Sequence, residues 1–234
     1  MKLILLPGLD GNGALFESLV RCIGQQYECV VVRYPQRAEW KLTDYVEYVA
    51  QHIGDDEQVI LLGESFSGSV AVSLAAQLEE RCKALILAAS FCRSPRWLLR
   101  AGEFALPFIP FRYIPLAIMQ TLLFGMVSPT LRKNFEQVWR SLPQSVIVSR
   151  LQLLANLDCT ESLRSVAAPV LYLQAQQDLL VPTAIGQELR RYCPQMTLQP
   201  LPGPHGILQR YPEESWTIIS SWLSQQGLSA VRGV

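Results

Sequence analysis

The stretch VILLGESFSGSVAVSLAAQL, residues 59–78, decides the fold of this chain. It opens with an unbroken apolar run, passes through a serine–glycine turn and continues with small apolar residues at helical spacing. A run in which nearly every residue is apolar is typical of a parallel strand covered on both faces. The stretch therefore predicts a buried strand, a sharp turn and a helix behind it.

Similar apolar runs lie on both sides of this stretch and alternate with amphipathic segments. The predicted strands cover residues 2–7, 28–35, 58–63, 83–89, 169–175 and 196–201. The predicted helices cover residues 14–24, 43–54, 66–80, 183–193 and 212–226. Strands that alternate with helices in this way indicate an α/β protein with a mostly parallel, doubly wound sheet of about six strands.

The alternation stops between residues 91 and 168, where proline-punctuated apolar and basic helices replace the strand signals. We therefore predict a core domain formed by residues 1–90 and 169–234, with a helical insertion over residues 91–168. The insertion leaves from the carboxyl end of a strand, and the ligand crevice of an open α/β sheet lies at that edge. We expect the insertion to cover the crevice as a lid.

Composition excludes several classes of function. The chain has 234 residues, half of them hydrophobic, and a formal net charge of zero, so the basic footprint of a nucleic-acid-binding protein is missing. The six cysteines are scattered, which predicts neither a disulfide framework nor a metal site. Prolines interrupt the most apolar segment, residues 104–127, so no transmembrane segment is expected. We expect a cytoplasmic protein without metal or organic cofactor.

The turn GESFSG, residues 63–68, places Ser65 among small residues between the strand and the helix. This is the pattern G-x-S-x-G with Ser67 in place of the last glycine, and it is typical of a nucleophilic serine on a strained strand-to-helix turn. The alternative is a Ser–Gly loop in which Ser65 only caps the helix. The other residues that a nucleophile needs decide between the two interpretations.

A serine hydroxyl becomes a nucleophile only when a base takes its proton and an acid orients that base. The chain has two histidines: His52 lies near the end of a predicted helix, whereas His205 lies in a Pro/Gly loop after the last strand. Asp178 follows the strand over residues 169–175 and is the predicted acid. Asp158 is the competing acid, although it precedes a helical segment that it could cap.

A developing oxyanion needs two backbone N–H donors. Phe66, the residue after the serine, is predicted to supply one of them. The loop after the first strand, LPGLDGNG over residues 6–13, is predicted to supply the other, from Leu9.

With Ser65, Asp178 and His205 in this order, the chain resembles the α/β-hydrolase family, in particular its small esterase-like and thioesterase-like members. LLPGLDG looks like the family's oxyanion loop, with Pro7 where many members have histidine, and GESFSG looks like its nucleophile elbow. The first strand resembles the family's third strand. The resemblance therefore implies a compact sheet that lacks the N-terminal edge hairpin.

These features predict a serine hydrolase that cleaves a carboxylic ester or thioester with an apolar acyl group. Ser65 would attack, His205 would act as base and then as acid, Asp178 would orient His205, and water would release the acyl group. The apolar residues of the insertion suggest an acyl pocket. Its predicted contacts are Phe104, Phe108, Phe111, Met119 and Leu123.

The insertion is also basic. Residues 91–150 contain eight basic and two acidic residues, a net charge of +6, which leaves twelve basic and eighteen acidic residues, a net charge of −6, for the rest. The basic residues are Arg93, Arg96, Arg100, Arg112, Arg132, Lys133, Arg140 and Arg150. A solvated helix face and attraction to the acidic body both explain such a bias. The functional interpretation is a docking surface for an anionic partner, such as an acyl carrier protein, coenzyme A or anionic lipid.

Three other functions remain open from the residues alone. Acyl transfer to an alcohol or amine would use the same residues as hydrolysis, and a non-catalytic ligand-binding module could share the fold. A nucleotide-dependent oxidoreductase would use the glycine-rich loop after the first strand. That loop reads G-x-x-G-x-G rather than G-x-G-x-x-G, which argues against the oxidoreductase.

Overall fold

The computed structural model describes residues 1–94 and 106–229. Six strands form one sheet in the order β2-β1-β3-β4-β5-β6, and every pair of neighbours is parallel. The strands are β1 (Lys2–Leu6), β2 (Glu28–Val31), β3 (Val59–Glu64), β4 (Cys82–Ala88), β5 (Val170–Ala175) and β6 (Thr197–Leu201). The predicted six-stranded parallel sheet is confirmed.

Helices cover both faces of this sheet and form most of the described chain between β4 and β5. They are α1 (Glu17–Ile23), α2 (Leu42–Ala50), α3 (Ser67–Leu78), α4 (Leu116–Phe124), α5 (Pro129–Ser141), α6 (Gln144–Ala155), α7 (Thr160–Ser165), α8 (Ala184–Tyr192), α9 (Ile207–Arg210) and α10 (Pro212–Gln225). The helix predicted over residues 43–54 ends at Ala50. After Ala50 the hydrogen bonds change to the 3₁₀ type, because the N–H groups of His52 and Ile53 bond to carbonyls three residues earlier.

The core consists of two apolar layers, one on each face of the sheet. Successive residues of β3 contribute to opposite layers: Leu61 packs in the layer of α2 and α3, and Ile60 packs in the layer of α1 and α10. All six residues of β3 are buried. This two-sided burial explains why the strand is continuously apolar rather than alternating.

The strand order reverses between β1 and β3. From β1 the chain crosses to β2 on one side, and from β3 it crosses to β4 on the other side. Open α/β sheets bind ligands outside the carboxyl ends of the strands at such a point. The loop that follows β1 and the turn that follows β3 therefore meet at the expected crevice.

The chain between β4 and β5, residues 91–168, is called the β4–β5 segment below. Within its described part, α4, α5 and α6 share a third apolar cluster that includes Phe124, Phe135 and Trp139. Leu9 and Ala38 of the core pack against this cluster. The division of the chain into a core and an inserted domain stays a prediction. Across residues 1–94 and 106–229, no helix combines the length and apolar character needed to cross a membrane.

Candidate active site

The turn after β3 is tight enough to require small residues. Ser65 has a positive φ of 49°, which places a non-glycine residue in a strained conformation. A Cβ atom on Gly63 would lie 2.6 Å from the Ser67 carbonyl oxygen, and one on Gly68 would lie 1.8 Å from Oγ of Ser90. A larger residue at either position would clash with neighbouring atoms, so both positions require glycine.

Ser67 fits the position at which the pattern predicts glycine. Its side chain is fully buried, and its Oγ donates a hydrogen bond to the carbonyl of Pro7. The Tyr34 hydroxyl lies 2.9 Å from the same Oγ and can donate to it. A serine therefore stands where the pattern predicts glycine, and its hydroxyl links the turn after β3 to the loop after β1.

The backbone of Ser65 is held from two sides. Its N–H donates to the Ala88 carbonyl over 2.9 Å, and its carbonyl accepts a 2.6 Å hydrogen bond from the Ser90 hydroxyl. The Ser90 carbonyl in turn accepts from the Tyr172 hydroxyl at 3.0 Å. Sequence reasoning missed Ser90, because a single serine at the end of β4 belongs to no recognisable pattern.

The structure brings Ser65, His205 and Asp178 into one hydrogen-bonded series. Oγ of Ser65 lies 2.8 Å from Nε2 of His205, and Nδ1 of His205 lies 2.7 Å from Oδ2 of Asp178. The other carboxylate oxygen of Asp178 accepts hydrogen bonds from the N–H groups of Leu180 and Val181. With Asp178 ionised, Nδ1 carries the proton and Nε2 is free to accept the proton of Ser65.

The competing histidine and acid have other partners. Nδ1 of His52 lies 2.9 Å from the carbonyl of Tyr48, one turn earlier. Asp158 forms a 3.4 Å ion pair with Arg93 and accepts a hydrogen bond from the Thr160 hydroxyl. Its Oδ1 also accepts a 3.3 Å hydrogen bond from the N–H of Thr160, the first residue of α7, although Cys159 occupies the N-cap position.

The loop after β1 reaches the serine. A Cβ atom on Gly8 would lie 3.7 Å from Cβ of Ser65, so this loop and the turn after β3 are in contact. Within the described part of the chain, no hydrogen bond uses the backbone N–H of Leu9 or of Phe66. Both predicted oxyanion donors are therefore free of protein hydrogen-bond partners within these described residues.

A buried carboxyl group lies beside this site. Glu64 is 6% exposed and accepts a 3.0 Å hydrogen bond from Nε2 of Gln209, on α9 just after His205. Burial raises the pKa of Glu64 to about 7, although the bond from Gln209 opposes the shift. Burial also raises the pKa of Asp10, in the loop after β1. Glu64 therefore titrates close to neutral pH.

The predicted acyl contacts divide into three groups. Phe111, Met119 and Leu123 are partly buried against the cluster shared by α4, α5 and α6, where Leu9 also packs. Phe108 was also predicted to contact the acyl group, but it is 85% exposed. Leu106 occupies the buried side of the 3₁₀ turn that the two residues share. Phe104 lies outside the described residues.

A cavity of about 450 Å³ lies between the core and α6. Its lining includes Trp40, Phe66 and Leu153, but none of Ser65, Asp178 or His205, so we do not assign the acyl group to it. In the described ranges, no three His, Cys, Asp or Glu residues are grouped as a metal site would require.

Comparisons with known proteins find similar sequences over most of the chain. The sequence model described as "Alpha/beta hydrolase family" matches residues 3–214. A pimeloyl-[acyl-carrier protein] methyl ester esterase from Aeromonas hydrophila is 30% identical over 209 residues, covering 78% of this chain and 79% of that protein. A protein of the same name from Aliivibrio salmonicida is 27% identical over 222 residues, covering 83% of this chain and 81% of its own.

Solved structures show the same architecture at lower sequence identity. The enol-lactonase from Burkholderia xenovorans LB400 superposes with a TM-score of 0.83 at 14% identity. The match covers 95% of this chain and 90% of that one. At this identity the likeness describes the fold alone.

Proposed function

The chain belongs to the alpha/beta hydrolase family, and we propose that it is a serine esterase that cleaves esters of an apolar acyl group through an acyl-enzyme intermediate on Ser65. The observation that carries this proposal is the hydrogen-bonded series from Asp178 through His205 to Ser65. The family and the esterase names of the relatives support it. They also argue against the nucleotide-dependent oxidoreductase that the glycine-rich loop after β1 left open.

Acylation begins at Ser65. Its Oγ attacks the ester carbonyl carbon while its proton passes to Nε2 of His205, and Asp178 stabilises the resulting imidazolium. The N–H groups of Leu9 and Phe66 stabilise the oxyanion of the tetrahedral intermediate. When the intermediate collapses, the C–O bond to the alcohol breaks and His205 protonates the departing alkoxide. The acyl group remains on Ser65.

Deacylation repeats the same proton movements with water. His205 takes a proton from water, whose oxygen attacks the acyl carbon, and the second intermediate releases the carboxylic acid. The proton on His205 returns to Oγ of Ser65. A thioester would react in the same way, and an alcohol or amine in place of water would make the protein an acyltransferase.

The acyl group lies beneath the described part of the β4–β5 segment, which acts as a lid. Phe111, Met119 and Leu123 supply its apolar contacts, since they pack against the same apolar cluster as Leu9. The carbonyl of Leu123 accepts a 2.7 Å hydrogen bond from the N–H of Gly206, the residue after His205. This bond ties the lid to the loop of the base.

The substrate class is an ester on an acyl chain carried by an acidic carrier protein. The relatives' names include an acyl-carrier protein. The exposed residues Arg132 and Lys133 of α5 provide a basic patch that would attract such a partner, whereas the nearby Arg140 is paired with Glu136. Arg150 does not contribute to this patch, because it is buried.

Fluorophosphonate labelling with mass-spectrometric site mapping tests the chemistry. The label is expected on Ser65 in the native protein and in Ser73→Ala, a matched change on α3, and is expected to be absent in Ser65→Ala. Hydrolysis of p-nitrophenyl butyrate should follow the same pattern. An unlabelled, inactive native protein would favour a binding module instead.

A comparison of free and carrier-linked acyl methyl esters tests the substrate class. We expect kcat/KM to be higher for the carrier-linked ester and to fall with salt, because salt screens attraction between charged surfaces. Replacing Arg132 and Lys133 by Ser should remove the salt dependence. Equal kcat/KM for both substrates at all salt concentrations would contradict the carrier proposal and leave the esterase proposal intact.

A further inference from the structure

Arg150 on α6 is fully buried, with 0% of its surface exposed. Removing a charge from water is costly unless polar partners replace the water. Nη1 of Arg150 donates a 2.7 Å hydrogen bond to the carbonyl of Leu9, and Nε donates a 3.1 Å bond to the Tyr45 hydroxyl. Arg132, Arg140 and Arg164 of the same segment are exposed, whereas Arg150 places its guanidinium in the core.

Aromatic rings surround this guanidinium. Its central carbon lies 5.7 Å from the ring centroid of Tyr34, 5.5 Å from that of Tyr45 and 5.9 Å from that of Phe66. A cation is attracted to aromatic faces at these distances, and more strongly away from water. Arg150 therefore contacts both predicted oxyanion residues, Leu9 through its carbonyl and Phe66 through its ring.

The loop after β1 is shaped around the guanidinium. Gly11 has a positive φ of 65°, and a Cβ atom on it would lie 2.4 Å from Nη1 of Arg150. Only glycine leaves the required space and adopts this backbone without strain. The position of Arg150 and the conformation of the loop thus depend on each other.

We propose that Arg150 is a positioning residue for the oxyanion hole. By holding the Leu9 carbonyl it fixes the orientation of the Leu9 backbone, whose N–H must point at the developing oxyanion. Its positive charge also favours negative charge at that place in the transition state. The inference rests on the proposed ester hydrolysis at Ser65, and it gives the β4–β5 segment a part in the chemical step.

An arginine that merely anchored α6 would behave differently. Removing an anchor lowers the melting temperature and leaves the rate of the chemical step unchanged. Removing a positioning residue lowers kcat while KM changes little, because the lost interaction acts in the transition state. Affinity for a transition-state analogue should fall together with kcat.

The test compares Arg150→Met, Arg150→Lys and the exposed control Arg21→Met on α1. The measurements are kcat and KM for p-nitrophenyl butyrate, the melting temperature, and inhibition by an aliphatic trifluoromethyl ketone, which adds to serine as a tetrahedral adduct. Loss of a direct oxyanion donor costs about 10²–10³-fold in kcat. For Arg150→Met, which acts through Leu9, we expect a loss of about 10–100-fold, with a matching rise in Ki.

Arg150→Lys should recover part of kcat by restoring the charge, and Arg21→Met should match the native protein. If Arg150→Met does not fold, Gly11→Ala gives the same test, because its methyl group displaces the guanidinium but keeps the charge; kcat should again fall.

Native kcat and Ki in a folded Arg150→Met or Gly11→Ala protein would overturn the inference alone. A native protein without esterase activity or label would overturn the proposed function as well.

Discussion

The α/β core and the β4–β5 segment differ in which side chains they expose and which they bury at particular positions. In the core, apolar strands such as β3 are wholly buried, and the polar residues of the site stand at strand ends. In the segment, Phe108 and Met126 are 85% and 88% exposed, whereas Arg150 is completely buried. Large apolar residues normally lie inside and arginine outside, so the usual distribution is reversed at these positions.

The comparison teaches that the segment packs into the core at Leu154 and Leu163 and reaches the loops of the candidate site through other residues. Its contacts with the core include Arg150 on the Leu9 carbonyl and the Leu123 carbonyl on the N–H of Gly206. The Phe124 ring also fills the space that a Cβ atom on Gly206 would need, at 2.4 Å. These contacts lie on the loops that follow β1 and β6. We therefore expect substitutions at these contacts to lower stability or activity. Substitutions at exposed positions of the segment, such as Phe108, should have little effect on either.

The largest expected effect separates two aspartates, one in each region. Asp178→Asn should lower kcat for p-nitrophenyl butyrate by roughly 10³–10⁴-fold, because the amide no longer stabilises the imidazolium or its tautomer. Asp158→Asn, in the β4–β5 segment, should leave kcat unchanged, since Asp158 pairs with Arg93 and Thr160. Steady-state kinetics on both proteins check this. A large loss in Asp158→Asn would reassign the acid to the segment.

The core could be predicted from sequence because each of its features depends on local patterns. Continuous apolar runs predicted the six strands, and the strand-to-helix turn made Ser65 the candidate nucleophile. The carboxyl ends of parallel strands share one edge of the sheet, so Asp178 after β5 and His205 after β6 were expected near Ser65. The distances of 2.7 and 2.8 Å agree with that expectation.

The segment resisted prediction for physical reasons. Composition marks Phe108 and Phe124 alike as apolar, but only packing decides that one is exposed and the other buried. Arg150 was one of eight basic residues, and its partner Leu9 lies 141 positions away in the chain. No periodicity encodes such a pairing. Gln209, whose contact with Glu64 spans 145 positions, was missed for the same reason.

A pair of phenylalanines tests the expected difference between the segment's contacts with the core and its exposed positions. Phe124→Ala should lower the free energy of unfolding by about 3–5 kcal/mol, because it empties a buried site against Gly206 and Phe135. Phe108→Ala should change it by less than about 0.5 kcal/mol, because the ring is already in water. Urea denaturation measures both. Similar losses would show that the exposed face packs against the core.

Glu64 provides a pH test confined to the core. Its pKa is raised from an ordinary 4.5 to about 7, so the folded protein binds this proton more tightly than the unfolded chain does. The contribution of Glu64 to the free energy of unfolding should therefore be largest below about pH 4.5 and should fall as pH rises through about 7. At about 1.4 kcal/mol per pKa unit, the loss is on the order of 3 kcal/mol.

Glu64→Gln removes this titration and serves as the comparison. Urea denaturation at about pH 5 and about pH 8 should show a smaller decrease in the variant than in the native protein. Asp10, whose pKa burial also raises, repels the Glu64 carboxylate, so the difference between the proteins reports Glu64 together with its effect on Asp10. Equal decreases in the two proteins would mean that Glu64 is already ionised in the folded state near pH 5.

The smallest expected effect compares two serine hydroxyls, one inside the core and one that joins the segment to it. Ser67→Ala should cost about 1–3 kcal/mol of unfolding free energy, because the buried Pro7 carbonyl and Tyr34 hydroxyl lose their partner. Ser149→Ala should cost only about 0.5–1 kcal/mol, since water can replace its half-exposed bond to the Ala38 carbonyl. Chemical denaturation of both variants measures the difference. If Ser149→Ala costs as much as Ser67→Ala, water does not replace the lost bond to the Ala38 carbonyl, and the contact between α6 and the core is as dry as the interior of the core.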